Sequence, residues 1–329
     1  MEIMPLGKTS ILEAVFLCSI GRSFRAKKEK ELINLEKTNS KIEIEYQKSD
    51  RDGIIVLEIE DKKSFSVNGI KLKKLSEILG NIYVVMFNPN DIDILKDGPS
   101  ERRRFLDIMI SQLRIGYVYN MNQYLKTLEQ RNNYLRQIKE TTIDFELLET
   151  WDGRLAELGE KIYNYRSDYI EKIKEKIKVF HSQITEDKEE IKIKYISSCE
   201  NKEIFLKKLK ENREKDIQKG YTTEGVHRDD FYIYVNGKLV NTYGSQGQQR
   251  TTIISLKLSE LEIIYDEIGE YPILLLDDFM SELDDKRIKN FLERIKNNQV
   301  LITCTDKIKV ENQTNKIFYV EKGIVTEEN

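Results

Sequence analysis

The sequence predicts an α/β fold in which the two ends of the chain form one lobe around a parallel sheet and a helical lobe is inserted between them. Towards the C-terminus, short apolar runs at residues 273–276 and 300–304 alternate with helical patterns at 249–268 and 285–296. Strands and helices that alternate in this way are typical of parallel α/β sheets. In the middle of the chain, apolar residues recur at spacings of three and four over a long stretch, which predicts helices.

The first part of the chain begins with a helix and continues with strands. Residues 10–20 have the apolar content of a buried helix, and Gly21 is placed to end it. Strand patterns follow at residues 42–46, 54–60, 65–72 and 82–87. The Asn68-Gly69 pair supplies the positive φ angles of a tight hairpin turn.

The helical lobe is predicted to start near residue 102, where Ser100 is placed to cap the first helix. The apolar spacing predicts two helices in this lobe, and the first of them is the helix that Ser100 would cap. The first carries Tyr117, Met121, Tyr124 and Leu128, and the second carries Trp151, Leu155, Leu158, Ile162, Tyr165, Tyr169, Ile173, Ile177 and Phe180. Such a stripe indicates packing, here of an antiparallel helix pair, and not a cofactor site.

Three segments result from these patterns. Residues 1–101 form the first part of the α/β lobe, residues 102–219 the helical lobe, and residues 220–329 the second part of the α/β lobe. In the third segment β character returns over residues 231–240, where Asn236-Gly237 predicts a second tight turn.

Composition and charge exclude several classes of protein. Of the 329 residues, 39% are hydrophobic and 34% are charged, a balance typical of soluble globular proteins. No apolar run approaches the roughly 18 residues that span a membrane, and no signal peptide is recognisable, so a cytoplasmic location without membrane contact is expected. The three cysteines are far apart and only two histidines exist, which predicts reduced thiols and no zinc site.

The net charge of −3 excludes a globally basic nucleic-acid-binding domain but leaves room for a local basic surface. The candidates are Lys27, Lys28 and Lys30, then Arg102, Arg103 and Arg104, and a lysine-rich segment at residues 202–219. Each cluster is also what a solvated helix face shows, and that alternative stays open.

A phosphate-binding motif is suggested by Gly7, Lys8, Thr9 and Ser10 at the start of the first helix. They match the end of the pattern G-x-x-x-x-G-K-[ST], in which backbone N–H groups and the helix N-terminus hold phosphate oxygens. Lys8 would reach the β- and γ-phosphates, and Thr9 would bind Mg²⁺. The first glycine of the pattern is replaced by Glu2, and no strand pattern precedes the loop, so we expect an incomplete motif.

An acidic pair, Asp277 and Asp278, ends the apolar run at residues 273–276. Ligands of parallel α/β sheets bind at the carboxyl edge of the strands. Asp277 would therefore hold Mg²⁺, and Asp278 would position or deprotonate the attacking water. The alternative is a strand that ends in an ordinary capped turn.

A second anion site is predicted at Ser245, Gln246, Gly247 and Gln248, which directly precede a helix. The serine hydroxyl, the glycine backbone and the helix N-terminus together favour a bound anion. The alternative is a polar loop with an N-cap.

The phosphate-binding motif, the motif at residues 245–248 and the acidic strand end occur in the order expected of an ABC-type ATPase head. Further short sequence segments resemble those of the RecF family. These segments are Gly21-Arg22-Ser23-Phe24-Arg25, Asn88-Pro89-Asn90-Asp91, Gly98-Pro99-Ser100-Glu101-Arg102-Arg103-Arg104-Phe105-Leu106-Asp107, Gly225-Val226-His227-Arg228-Asp229-Asp230, Leu275-Leu276-Asp277-Asp278 and Ser281-Glu282-Leu283-Asp284. The resemblance extends from residue 7 to about residue 306, which is nearly the whole chain.

The resemblance implies an ABC/SMC-type P-loop ATPase head with an inserted helical second lobe, and ATP and Mg²⁺ as cofactors. ATP would drive formation of a homodimer in which residues 245–248 contact the γ-phosphate bound to the other copy, and hydrolysis would reset the dimer. Ser281 and Asp284 would lie in the loop that crosses the dimer interface.

The resemblance also implies a role in recombinational repair, DNA replication and the SOS response. Family members bind double-stranded DNA near single-strand gaps, act with RecR and RecO, and help to load the recombinase. The candidate DNA-binding residues are Arg102, Arg103, Arg104, Lys27 and Lys28.

Two alternatives to this function stay open. Family members begin with two strands and a complete phosphate loop that residues 1–6 do not match, so the chain is expected to be a weak DNA-dependent ATPase or a non-hydrolysing remnant that binds DNA and RecR. The other alternative is an SMC-like ATPase head with a different role. The lack of segments long enough for extended coiled-coil arms disfavours it.

Overall fold

The structure, a computed structural model, describes residues 7–26, 28–137, 144–279, 285–304 and 316–328. Its contacts divide the chain into two compact units. The first unit combines Met1–Asp91 with Ile264–Asn329, and the second unit is Ile92–Ile263. The predicted boundary after residue 219 falls inside the second unit, because a strand at residues 191–196 pairs with a strand at residues 230–235.

Helices and strands are numbered here in chain order within the described residues. The helices are α1 (Lys8–Ile20), α2 (Asp93–Lys96), α3 (Pro99–Leu113), α4 (Ile115–Gln137), α5 (Phe145–Thr185), α6 (Lys202–Glu211), α7 (Arg213–Lys219), α8 (Val240–Tyr243), α9 (Gln246–Ile268) and α10 (Asp285–Arg294). The strands are β1 (Ser40–Gln47), β2 (Asp52–Ile59), β3 (Lys63–Val67), β4 (Ile70–Lys71), β5 (Val84–Phe87), β6 (Ile191–Ile196), β7 (Asp230–Val235), β8 (Lys238–Leu239), β9 (Ile273–Asp277), β10 (Val300–Thr303), β11 (Phe318–Glu321) and β12 (Ile324–Glu327).

A parallel sheet of three strands forms the centre of the first unit, in the order β10-β9-β5. In β9, Leu274, Leu275 and Leu276 are fully buried, as expected for a strand with a neighbour on each side and cover on both faces. Helix α1 packs against this sheet. Gly21 ends α1 in the left-handed conformation, with φ 77°, as predicted.

The first unit also contains two antiparallel sheets. Strands β1 to β4 pair in sequence order, with Ile44 opposite Ile55, and β11 pairs with β12. Asn68 and Gly69 both have positive φ angles, 50° and 77°, which confirms the tight turn between β3 and β4.

Helices α4 and α5 pack side by side in the second unit. Their stripe residues form the core: six of the nine residues predicted on α5 are buried, and Trp151, Tyr165 and Phe180 are half-buried. The interpretation of the stripe as packing is confirmed. The predicted cap at Ser100 is wrong, because α3 begins at Pro99, its N-cap is Gly98, and no side chain caps it. Proline fits the first helical position because that residue needs no N–H partner.

A small antiparallel sheet, β6-β7-β8, completes the second unit, with Ile193 opposite Ile233. Strand β6 was not predicted, although apolar residues alternate with lysines along Ile191–Ile196 and the burial of its side chains alternates in the same way. The turn at Asn236 and Gly237 has φ angles of 50° and 75°, as predicted. None of the helices within the described residues is long and apolar enough to cross a membrane.

Buried arginines join the helices of the second unit to the segment before β7. The Arg166 guanidinium on α5 donates to Tyr117 Oη at 2.9 Å, Val226 O at 2.7 Å, Asp229 Oδ2 at 3.0 Å and Asp107 Oδ1 at 2.8 Å. Arg166 and Asp229 are 1% and 2% exposed, so this ion pair is shielded from water. Charges in such a position are tolerated only when they are paired and hydrogen-bonded.

A second buried cluster surrounds Arg131 on α4. Its guanidinium donates to Asp152 Oδ1 at 2.7 Å and to Asp216 Oδ2 and Thr222 Oγ1, both at 2.8 Å. Arg213 donates to the other oxygen of Asp152 at 2.9 Å. The cluster thus ties α4, α5 and α7 together through charges that solvent does not reach.

His227 is held between two fixed partners. Its Nε2 lies 3.1 Å from the carbonyl oxygen of Thr222, which can only accept, so Nε2 carries the proton. Its Nδ1 therefore accepts the hydrogen bond from the Tyr124 hydroxyl at 2.8 Å. Burial lowers the pKa of His227 to about 4, so the ring is neutral at pH 7.

Candidate functional site

Helix α1 presents its N-terminus at the carboxyl edge of the parallel sheet. Its N-cap is Gly7, which has a φ of 134° and no side chain to cap the first turn. A Cβ at Gly7 would lie 2.5 Å from Val320 Cγ1, so glycine is required both by the backbone angle and by the neighbour. The first backbone N–H groups of a helix have no partner within the helix. This end of α1 therefore offers donors to an anion.

Lys8, the first residue of α1, is half-buried and reaches across to the end of β10. Its Nζ donates to the carbonyl oxygen of Cys304 at 2.8 Å. A neutral carbonyl is a replaceable partner for an ammonium group, because an anionic oxygen forms a stronger hydrogen bond with it.

Thr9 connects α1 directly to the acidic end of β9. Its Oγ1 donates to Asp277 Oδ1 at 2.9 Å, and Thr303 Oγ1 at the end of β10 donates to the same oxygen at 2.6 Å. Residues that are 268 positions apart in the chain thus share one hydrogen bond. We call Lys8, Thr9, Asp277, Asp278 and Thr303 the sheet-edge cluster.

Asp278 is exposed and has a left-handed backbone, with φ 47°. Its N–H donates to Thr303 O at 3.2 Å and to Thr303 Oγ1 at 3.1 Å. A non-glycine residue in this conformation costs about 1–3 kcal/mol and is found mainly where surrounding contacts impose it. Here β10 imposes it and turns the chain sharply at the end of β9.

The sheet-edge cluster has the chemistry that a magnesium ion needs. Mg²⁺ prefers oxygen ligands, and it commonly keeps several waters while one or two protein oxygens and substrate phosphates complete its shell. The hydroxyl of Thr9 and the carboxylate of Asp277 are such oxygens, and they already lie within hydrogen-bond distance of each other. The side chains therefore fit a Mg²⁺ bound together with phosphate.

The second predicted anion site is a reciprocal cap at the start of α9. The Gln248 N–H donates to Ser245 Oγ at 3.2 Å, and the Ser245 N–H donates to Gln248 Oε1 at 3.0 Å. This is the geometry of a capping box, in which the serine and the glutamine three residues later satisfy each other's backbone N–H groups. Ser245 and Gln246 are exposed, and Gly247 and Gln248 are half-buried. We call residues 245–248 the signature loop.

The arginines predicted to bind DNA lie in three different environments. Arg102 is 7% exposed and forms a bidentate ion pair with Asp230, so it is not available to a DNA phosphate in this structure. Arg103 is half-buried and donates to Asp229 O at 2.9 Å. Arg104 is exposed, with Glu101 at 3.6 Å. Successive residues of a helix point in different directions, so only part of a basic run can face solvent.

Lys28 is exposed. Three other predicted residues, Lys27, Ser281 and Asp284, lie outside the described residues. Ser10 Oγ accepts from Arg25 at 3.3 Å, and Arg25 also pairs with Glu13 at 2.5 Å.

Two contacts at this site were not predicted from the sequence: Thr303, which belongs to the sheet-edge cluster, and Cys304, whose carbonyl oxygen accepts from Lys8. Both stand at the end of the predicted strand 300–304. The rule that placed Asp277 at the carboxyl edge of the sheet applies equally to them. Glu189, which contacts Gln248 at 2.9 Å, was also missed, and no motif marks it.

Comparison with known proteins identifies the family. No protein-family model matches the chain. The chain is 45% identical to the DNA replication and repair protein RecF of Clostridium tetani over 96% of its own length and 89% of that protein, and 44% identical to RecF of Alkaliphilus oremlandii over 96% and 90%. The solved structure of the recombination mediator protein RecF-ATP in the RecFOR pathway matches with a TM-score of 0.93 at 39% identity, covering 98% of this chain and 89% of the other.

More distant structures share the fold alone. The Smc head domain of Pyrococcus furiosus, solved with the C-terminal domain of ScpA, matches with a TM-score of 0.54 at 16% identity, over 98% of this chain and 87% of the other. The predicted ABC/SMC-type head with an inserted helical lobe is therefore confirmed. Sequence identities of 45% and 44% to RecF proteins over 96% of the chain show more than the fold: this chain belongs to the RecF family.

Proposed function

We propose that the chain is an ATP-binding recombination mediator that dimerises around ATP and acts on DNA during repair and replication. One observation carries this proposal: Thr9 contacts Asp277 and so joins the predicted phosphate loop to the predicted metal-binding strand end. The relatives add support, since their names are those of a DNA replication and repair protein and a solved structure of the same fold is RecF-ATP.

Lys8 binds the nucleotide in this proposal by exchanging one partner for another. Its ammonium group leaves the carbonyl oxygen of Cys304 and turns to the β- and γ-phosphates. The N–H groups in the first turn of α1 donate to the same phosphates, and the positive end of the helix dipole favours them. Gly7 allows the phosphates to approach the backbone because it has no side chain.

Thr9 and Asp277 would hold Mg²⁺, which neutralises phosphate charge when bound. The hydrogen bond that now joins the two side chains keeps both oxygens at the end of β9. Thr303 holds the Asp277 carboxylate from the other side. Asp278 follows on the exposed turn and is the candidate for orienting the water that attacks the γ-phosphate.

The signature loop would bind the γ-phosphate held by a second copy of the chain. Ser245 Oγ accepts from the Gln248 N–H, so its own hydroxyl hydrogen remains to donate to a phosphate oxygen. The serine is exposed, which gives a second copy access to it. Ser281 and Asp284 are proposed, from the family resemblance, to lie in the loop that crosses the same interface.

DNA binding is proposed to use phosphate contacts from exposed basic side chains. Arg104 and Lys28 are exposed, whereas Arg102 is buried and Arg103 is half-buried. Double-stranded DNA near single-strand gaps is the proposed target, with RecR and RecO as partners in loading the recombinase. We also propose that the chain is cytoplasmic, and that residues 1–101 and 220–329 form the ATPase lobe while residues 102–219 form the helical lobe.

The experiment is sedimentation of the purified chain with and without Mg-ATP, together with the variant Ser245→Arg. The chain should sediment as a dimer with Mg-ATP, because each signature loop completes the other copy's site. Ser245→Arg should bind ATP with unchanged affinity and stay monomeric, since the arginine side chain fills the space of the γ-phosphate contact. Thr150→Arg, which adds the same charge on an exposed face of α5, is the matched control and should dimerise normally. Unchanged sedimentation of the wild-type chain with Mg-ATP would contradict the proposal.

A further inference from the structure

Behind the signature loop, a side chain from a different part of the second unit holds Gln248. Its Nε2 donates to Glu189 Oε1 at 2.9 Å. Glu189 lies between α5 and β6, 59 residues before Gln248 in the chain. The contact therefore joins the signature loop to the end of the long helix α5.

Glu189 is itself fixed at its second oxygen. Oε2 lies 3.2 Å from Nε2 of His181, which is fully buried on α5. The other ring nitrogen of His181 lies 3.2 Å from Ser255 Oγ on α9. The side chain of Glu189 is 20% exposed, so its position is set by these partners more than by solvent.

The carboxylate decides the orientation of the Gln248 amide. A carboxylate only accepts hydrogen bonds, so the NH₂ end of the amide must face Glu189. The oxygen end then faces Ser245 and accepts its N–H at 3.0 Å. If the amide turned over, its NH₂ group would face the Ser245 N–H, two donors would meet, and the reciprocal cap would open. Glu189 thus maintains the conformation in which the Ser245 hydroxyl is exposed.

We propose that Glu189 is a positioning residue of the signature loop, acting through Gln248 to preorganise Ser245 for the γ-phosphate of ATP bound to a second copy of the chain. This inference rests on the proposed function. Glu189 need not touch the nucleotide, because its effect passes through the amide of Gln248. The expected consequence of losing it is weaker ATP-dependent dimerisation with unchanged ATP binding to the monomer.

The experiment compares Glu189→Ala and Glu189→Gln with the wild-type chain by sedimentation equilibrium in Mg-ATP. Glu189→Ala should weaken the dimer about tenfold for each signature loop, and thus about a hundredfold for the two loops of a dimer, the effect of losing one hydrogen bond to a charged acceptor in each copy. Glu189→Gln should weaken it less, because its carbonyl oxygen can still accept from Gln248. Glu190→Ala is the matched control, since the neighbouring glutamate is exposed and pairs with Lys192 on the surface. It should dimerise like the wild-type chain.

Two further measurements separate positioning from a general structural role. ATP affinity, measured with each change placed in the monomeric Ser245→Arg background, should stay unchanged. Without ATP, the backbone amides of Gln248 and Gln249 should exchange hydrogen faster in Glu189→Ala but not in Glu190→Ala. If Glu189→Ala does not fold, the same measurements on Glu189→Gln decide the question.

Wild-type dimerisation by both Glu189 variants, with wild-type exchange, would overturn the inference and leave the proposed function standing. Equal losses of monomer ATP affinity and of dimerisation would overturn it as well, since that pattern indicates general damage. Absence of an ATP-dependent dimer in the wild-type chain would overturn the proposed function and this inference with it.

Discussion

The sheet-edge cluster and the buried cluster around Arg166 both hold charged side chains by hydrogen bonds, but the two clusters differ in burial and in the partners they offer. Arg166 donates to four different residues, two of them carboxylates, and is 1% exposed. Lys8 is half-buried and donates to a backbone carbonyl. A guanidinium surrounded by fixed acceptors stabilises one arrangement of helices. An ammonium held by a carbonyl can change partner when phosphate arrives, so the weaker arrangement is the one suited to binding.

The largest effect is expected from Arg166→Met. This change leaves the Asp229 carboxylate buried without its guanidinium partner, and breaking such a buried pair costs about 3–5 kcal/mol. Urea unfolding followed by tryptophan fluorescence measures the second unit alone, because the single tryptophan of the chain, Trp151, lies on α5. Arg154→Ala removes an arginine that pairs with Glu157 on the surface, and it should cost less than about 1 kcal/mol. Similar losses in the two variants would show that the Arg166 cluster is not the fixed arrangement described above.

A somewhat smaller effect is expected from acid acting on His227. Its folded pKa of about 4 is below the usual 6.5, so the unfolded chain binds the proton first. The unfolding free energy should therefore decrease as the pH falls from 6.5 to 4, and His227 should account for about 3 kcal/mol of that decrease.

The test of the His227 effect is the variant His227→Gln. A glutamine can accept from Tyr124 and donate to Thr222 O, but it does not titrate. Urea unfolding of both proteins, followed by Trp151 fluorescence between pH 7 and 4.5, should give a shallower pH dependence for the variant. Parallel curves would show that His227 is not held neutral by its surroundings.

A third prediction concerns the sheet-edge cluster, where a substitution should change ATP affinity and leave the stability of the fold almost unchanged. Lys8→Ala should leave the unfolding free energy within about 0.5 kcal/mol of the wild-type value, as expected for a residue with one replaceable contact. ATP affinity should fall about tenfold to a hundredfold, the value of a hydrogen bond between charged groups. Lys126→Ala, at an exposed lysine of α4, is the control for loss of charge. A large loss of stability in Lys8→Ala would remove the contrast between the two clusters.

The smallest effect is expected from the exposed basic side chains. Arg104→Ala should lower the slope of log K against log salt for DNA binding by about one unit, because one phosphate contact is lost. Arg154→Ala is the control, because it also removes one positive charge but does so on α5. Binding to DNA is measured between about 50 and 200 mM salt, the range over which phosphate contacts strongly affect affinity. An unchanged slope in Arg104→Ala would exclude this residue from the DNA contact.

Local patterns predicted much of the fold and part of the site. The apolar run ending in Asp277 and Asp278, the stop at Gly21 and the two Asn-Gly turns depend on neighbours in sequence, and they were predicted correctly. The burial of Arg102 depends on Asp230, which lies 128 positions away, so its charge alone suggested a surface residue. Strand β6 was missed although Ile191, Ile193 and Tyr195 alternate with polar neighbours, the period of a half-buried strand, so the sequence did contain its signal. Glu189 is a different case, because its importance comes only from the residues it meets in the folded chain.

The order in which the chain is synthesised has a consequence for the parallel sheet. Strand β5 pairs with β9, and the whole second unit lies between them in the sequence. At roughly 5–20 residues per second, translation of that interval takes on the order of 10–40 s. During this time β5, whose four residues are buried in the folded chain, has no β9 to pair with, because the second unit is being synthesised. The sheet edge that gathers Lys8, Thr9 and Asp277 is consequently among the last features to form on the ribosome, and a chain released before residue 277 cannot assemble it.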